Sequence, residues 1–295
     1  MQSFDYAATH SLSEAATMLA QDGKSVQVLA GGTDLIVQLR EGRRQVALVV
    51  DIKAIPEVNQ LSYDPIQGLH IGAAVPCYKI CQHQRIAAAY PGLIDAISLI
   101  GGTQIQGRAT VGGNLCNASP AADTIPALIV HRATCLIFGP LGLREAPVET
   151  FCTAPGQTIL AAGEFLVTLR IPAPPPGFGA HYQRFIPRNE MDIAVTGAAA
   201  AVVLNDKRTH FISARIALSA VAPVPLYVPE AGEWLAGREI HLENLRQAAE
   251  IARAAAQPID DMRGTATQRK QLAAVLTRRA LEKAVERART QEAKP

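Results

Sequence analysis

Two short stretches, AGGTD at Ala30 to Asp34 and TVGGN at Thr110 to Asn114, set adjacent glycines beside a threonine and a small polar residue. Glycine costs backbone entropy unless its conformational freedom or its missing side chain is used. Used together, such residues let backbone N–H groups converge on an anion, and a helix start adds a favourable dipole. Thr33 and Thr110 add hydroxyl donors for phosphate oxygens. Two such loops, each read at a strand end and facing one another, would cradle a diphosphate. On their own, both loops also read as ordinary turns. Neither is a familiar nucleotide motif. No GxGxxG opens a helix, and no GxxxxGK precedes Ser or Thr, which disfavours a Rossmann or P-loop protein.

Other chemistry is sparse. There is no GxSxG elbow and no HExxH. His10, His70, His83, His131, His181, His210 and His241 are scattered and read as surface or core residues. Cys77, Cys81, Cys116, Cys135 and Cys152 form an odd set without CxxC spacing. They read as buried free thiols of a cytoplasmic protein, not as an iron–sulfur or zinc site. The pattern points to a nucleotide-binding α+β protein that leaves the chemistry to a cofactor.

The elements that must position the loops follow from periodicity. Ser11 or Ser13 caps a helix through EAATMLAQ, stopped by Gly23. VQVLA (Val26 to Ala30) is a strand, GGTD a turn, LIVQLREG a helical segment, and QVALVVDI (Gln45 to Ile52) a buried strand. The first 55 residues thus form a compact α/β unit. Beyond Val58, GLHIGAAV reads as a short strand pair, with helices at Cys77 to Ala89 and Pro91 to Ile100. After the second loop come an apolar segment TIPALIVHRA and the strands CLIFG and EFLVTLRIP. The proline-rich PAPPPGFG marks a boundary. AVTGAAAAVVLND and ARIALSAVAP then read as a second sheet, and the tail as helices. This organisation gives an α+β chain in three parts: 1–57, 58–175 and 176–295.

Composition bounds the classes. With 48% apolar and 18% charged residues the chain is globular. A net charge of +2 leaves no case for nucleic acid. The start MQSFDYAATHSLSEAA has neither a basic n-region nor an apolar h-region, and no run approaches a membrane span.

AGGTDL, TVGGNLCNASPAADTIPAL and RFIPRNEMDIA, in this order, resemble the FAD-binding medium subunit of the molybdenum hydroxylases, the family of xanthine dehydrogenase and carbon monoxide dehydrogenase. The resemblance runs from Phe4 to about Ala288. It implies an FAD-binding fold of the p-cresol methylhydroxylase and vanillyl-alcohol oxidase type, built from two αβ subdomains. A C-terminal domain would add a three-stranded antiparallel sheet and helices.

The resemblance also implies the site. Ala30, Gly31, Gly32, Thr33, Asp34 and Leu35 hold the FAD diphosphate from one side. Thr110, Val111, Gly112, Gly113 and Asn114 hold it from the other. Asn117 lies near the phosphates, Asp123 at the adenosine portion, and Leu166 in the strand whose backbone touches adenine. Arg184 stands where many members carry lysine, and Ile193 lies against the isoalloxazine ring. No metal ligand and no catalytic residue is implied.

Some relatives carry a four-cysteine insertion for a further cluster; none is present here, so FAD is the expected redox group. The implied partners are a small 2Fe-2S subunit and a large molybdopterin subunit, in a dimer of heterotrimers. The acceptor would be NAD, oxygen, a quinone or another carrier. Two other readings stand beside this one: a self-contained FAD oxidase of the same fold, and a scaffolding subunit without FAD.

Overall fold

The computed structural model describes residues 3–21 and 25–290. The helix stop expected at Gly23 lies outside them. At the N-terminal end a three-stranded parallel sheet runs Asp5–Ala8, Leu48–Asp51, Val26–Leu29 in spatial order. Its central strand, LVVD, is buried throughout, as a parallel strand covered on both faces must be. That strand is shorter than the eight residues read from the sequence, because pairing starts only at Leu48. The helix Leu12–Leu19 is capped by Ser11, whose hydroxyl accepts from the Glu14 N–H at 3.2 Å.

The middle of the chain builds a five-stranded antiparallel sheet, in the order Leu61–Asp64, Gly68–Gly72, Phe165–Ile171, Thr134–Gly139, Gly142–Pro147. The strand pair expected in GLHIGAAV is one strand only, Gly68–Gly72, and it pairs with Leu61–Asp64. The helix expected from Cys77 to Ala89 is two, Cys77–Cys81 and Gln84–Ala89. The break is at His83, whose ring nitrogen accepts from the Ile86 N–H and starts the second helix. Thr124–Val130 is a helix with every residue buried. A segment apolar all round belongs inside a core. It packs beside Ile97, Leu115 and Leu169 in the largest hydrophobic cluster.

The C-terminal sheet is antiparallel. It has three long strands, Phe178–Phe185, Thr196–Leu204 and Phe211–Ser219, with Leu226–Tyr227 as a short fourth at the edge. Helices Leu242–Ala255 and Ala266–Thr290 cover one face. The run of alanines in TGAAAAVVL keeps that layer thin. Gly179 shows how thin: a Cβ there would lie 2.1 Å from the carbonyl oxygen of Ala284 on the long helix.

Paired charges fasten this sheet to the middle unit. Asp95 receives both Arg287 guanidinium nitrogens, at 2.5 and 2.9 Å, and the His181 imidazole at 2.5 Å. Arg287 also donates to the Ala180 carbonyl at 2.8 Å. Arg215 bonds the Ile129 carbonyl and the Glu149 carboxylate, both at 3.1 Å. Among the described residues no helix is long and apolar enough to cross a membrane.

Candidate functional site

The first loop leaves the parallel sheet at Leu29 and enters the helix Leu35–Arg40. The N–H groups of Gly31, Gly32, Thr33, Asp34 and Leu35 have no acceptor among the described residues. Consecutive unpaired N–H groups opening a helix form an anion cradle. Each glycine has its own cause. A Cβ on Gly31 would lie 2.2 Å from the Arg108 carbonyl oxygen, so here the first loop touches the segment leading into the second. Gly32 has φ +77°, the left-handed conformation that other residues seldom adopt.

The second loop was expected at a strand end. It is instead the first turn of the helix Val111–Cys116. Thr110 is its N-cap, and its hydroxyl accepts from the Gly113 N–H at 2.8 Å. That satisfies one helix-start donor internally and leaves Val111 and Gly112 N–H without partners among the described residues. The Thr110 hydroxyl proton remains available to donate. A Cβ on Gly112 would lie 2.7 Å from the Ala73 Cα, so this glycine serves backbone packing. A Cβ on Gly113 meets only the Thr110 hydroxyl, at 2.9 Å. Otherwise that face of the helix looks onto open space.

The open space is a cavity of about 540 Å³ between the two loops. Ala30 to Leu35, Thr110, Gly112, Gly113, Asn114, Asn117 and Leu166 all line it. Asn114 is held in place by the Thr124 hydroxyl, which donates to its side-chain oxygen at 2.5 Å. Asn117 accepts from Gln38 at 3.4 Å, a contact back to the helix Leu35–Arg40 that follows the first loop. Leu166 opens an irregularity in its strand, where the register against Leu136 and Ile137 slips.

Val111, Asp123, Arg184 and Ile193 do not line the cavity. Val111 is fully buried behind it. Asp123 and Arg184 form a buried ion pair at 2.6 Å, and Tyr182 donates to the other Asp123 oxygen at 2.7 Å. Burial pushes the Asp123 carboxyl up to about 6, against the downward pull of Arg184 and Tyr182. Ile193 is half exposed, whereas Ala194 and Val195 are core. Met191, in the same segment, sits 3.3 Å from where a Gly102 Cβ would be, close to the Ile100 end of the cavity.

Arg44 also lines the cavity, and nothing in its local sequence singles it out. It reaches Gln27 by a short hydrogen bond and has no carboxylate partner among the described residues. A basic residue in REGRRQ looks like solvated surface until the fold turns it inward. The cysteines add no redox pair: all are free, and burial pushes Cys77 and Cys116 up to about 12 and Cys152 to about 11. No cluster of His, Cys, Asp or Glu among the described residues is arranged to hold a metal.

An extended, doubly charged dinucleotide fits this cavity. Unpaired donors from both loops, a neighbouring guanidinium and the bare face of Gly113 leave a polar concavity that the protein does not fill. Residues 2–174 match the family described as the FAD binding domain in molybdopterin dehydrogenase. Residues 181–284 match the CO dehydrogenase flavoprotein C-terminal domain. The carbon monoxide dehydrogenase medium chain of Afipia carboxidovorans is 33% identical, over 97% of this chain and 98% of its own. The xanthine dehydrogenase FAD-binding subunit of Escherichia coli O157:H7 is 29% identical, over 96% and 97%. A solved carbon monoxide dehydrogenase from Hydrogenophaga pseudoflava superposes with a TM-score of 0.92 at 30% identity, covering 97% of this chain and 98% of that one.

Proposed function

This chain belongs to the FAD-binding medium subunits of the molybdenum hydroxylase family, with FAD as its cofactor, and from that premise we propose that it is the electron-transfer subunit of a larger dehydrogenase. It takes electrons from a small 2Fe-2S subunit and delivers them to an external acceptor such as NAD, oxygen or a quinone. Substrate oxidation belongs to a large molybdopterin subunit. The assembly is a dimer of heterotrimers in the cytoplasm, a setting suited to free thiols. The division at 1–57, 58–175 and 176–295 is part of this reading, and each sheet falls wholly within one part.

The observation that carries the proposal is the cavity between two donor-bearing loops, in a chain without an acid–base constellation of its own. When bound, FAD supplies the exchange between one-electron and two-electron carriers. The chain's own residues bind and orient it. Backbone N–H groups of Gly31 to Leu35 and of Val111 and Gly112 meet the diphosphate, with the Thr33 and Thr110 hydroxyls as further donors. Asn114 and Asn117 present side-chain amides to the same groups. Leu166 bounds the adenine end by its backbone. Asp123 and Arg184 lie one layer back: Thr124 follows Asp123 directly and holds Asn114. Ile193 shields the ring end; it, Met191 and Phe185 are exposed apolar side chains suited to a partner surface.

The test is co-purification with the partners, followed by anaerobic reduction. The proposal expects the flavin absorbance to bleach on adding substrate only when all three subunits are present. Oxidation of an organic substrate by this chain alone, at enzyme-like rates, would sink it.

A further inference from the structure

The cavity between the two loops has a further wall, which neither loop supplies. Gln27 and Arg44 line it, with the half-buried Leu19 and Leu160. Gln27 stands on the strand Val26–Leu29, three residues before Ala30. At about 3.3 Å per strand residue, that sets it about 10 Å back along the chain from the first loop. This is the end of the cavity to which Leu166 belongs. Leu19, Val26 and Val28 pack with Phe165 in one hydrophobic cluster, and Leu166 follows Phe165 directly.

The side-chain pair is one-sided in its chemistry. Arg44 donates to the Gln27 side-chain oxygen. A guanidinium carries donors only, so it decides how the amide faces: the oxygen is taken, and the nitrogen keeps two protons to give. Those protons have no acceptor among the described residues, and the Arg44 guanidinium makes no other bond there. Glu164, a carboxylate in the same wall, is committed to Arg144 at 2.6 Å and to the Ala161 N–H at 2.8 Å. The strand supplies the opposite polarity. Val26–Leu29 is the edge of its sheet. The Ser25 and Leu29 carbonyls bond inward, to Leu48 and Ile52. Alternate residues of an edge strand turn their backbone groups to opposite sides, so Val26 and Val28 present theirs outward. Both line the cavity. A diphosphate only accepts and has no use for a strand carbonyl. Adenine has ring nitrogens that accept, an amino group that donates and a flat face for Leu19 and Leu160.

We propose that Gln27 and Arg44 read the adenine base and make the cavity select an adenine dinucleotide over one with another base. Their donors meet the ring nitrogens. An outward carbonyl of the edge strand takes the amino protons. Arg44 also holds the Gln27 amide in its receiving orientation. This inference rests on the reading that FAD lies in this cavity, and adds which residues recognise its base.

The test compares FAD with flavin cytidine dinucleotide, which keeps the flavin, the diphosphate and the ribose and changes only the base. Each is titrated into the FAD-free full chain and followed by flavin fluorescence. Wild type should bind FAD about tenfold more tightly, a comparison that needs no variant to fold. Arg44→Ala should weaken FAD about tenfold and leave the cytidine dinucleotide nearly unchanged, so that the preference collapses. Gln27→Leu should narrow the preference in the same direction. Equal affinity of wild type for the two dinucleotides would overturn the proposal. So would an Arg44→Ala chain that loses both alike, which would put the guanidinium on the diphosphate. Uptake of one FAD per wild-type chain upholds the cavity as the FAD site whichever way the base comparison falls.

Discussion

The middle unit has a seam on each side, and the two are built in opposite ways. Toward the N-terminal sheet the facing loops keep their N–H donors unpaired and leave about 540 Å³ between them. Toward the C-terminal sheet the facing elements spend their charges on one another, as Asp95 does with His181 and Arg287, and Asp123 with Arg184 and Tyr182. Buried polar groups must find partners somewhere. Where the chain supplies them, as at Asp95 and Asp123, the two units are fastened together. Where it does not, something from outside supplies them. On the proposed reading, the first seam is the one that FAD completes.

The largest effect should come from Gly31→Ala. Its Cβ would press on the backbone oxygen of Arg108. A loss of about 3 kcal/mol is expected, read by denaturant unfolding of the FAD-free protein. FAD binding should fail with it, because both loops shift.

The second seam makes a prediction in pH. His131 is held at about 4 in the fold, against 6.5 for a free histidine. Between those values the folded state binds fewer protons than the unfolded chain. Stability from this residue is present above 6.5 and is lost as pH falls toward 4, by up to about 3 kcal/mol. Unfolding of His131→Phe followed from pH 7 to pH 4 should show a flatter slope than wild type. Equal slopes would mean that His131 takes up its proton in the fold.

A smaller change should follow Arg287→Ala. Burial raises the Asp95 carboxyl, but the bonds from His181 and Arg287 outweigh it and hold the group below its usual range. Losing Arg287 leaves that carboxylate half compensated, at about 2 kcal/mol. The loss should be largest near neutral pH and fade in acid, as Asp95 takes up a proton. FAD affinity should barely change, since the charge lies on the other seam. Smallest is Arg44→Ala, which should weaken FAD about tenfold and leave unfolding of the FAD-free protein unaltered.

The sequence carried the two loops because glycine pairs beside threonine are uncommon and local. It carried the paired sheets less well. The strand Leu61–Asp64 alternates apolar and polar over too few residues to stand out, and Phe178–Phe185 holds His181, Gln183 and Arg184 whose partners are far along the chain. Arg44 was invisible for the same reason: only the fold brings it to Gln27 and the cavity. The division of labour among the glycines was also out of reach. Gly31 and Gly112 answer to backbone from Arg108 and Ala73, distant in sequence, and only the folded chain sets Gly113 apart from them.

Gly113 offers the most direct test of the central claim, that the open seam is the FAD site. A valine there meets little protein beyond the Thr110 hydroxyl, so the FAD-free chain should fold, at a cost near the ~1 kcal/mol of a lost helix cap. FAD-free wild-type and Gly113→Val chains, each shown folded by circular dichroism, should be titrated with FAD and followed by flavin fluorescence. Wild type should saturate at one FAD per chain and the variant should bind none. A folded Gly113→Val chain that takes up stoichiometric FAD with wild-type affinity would contradict the account.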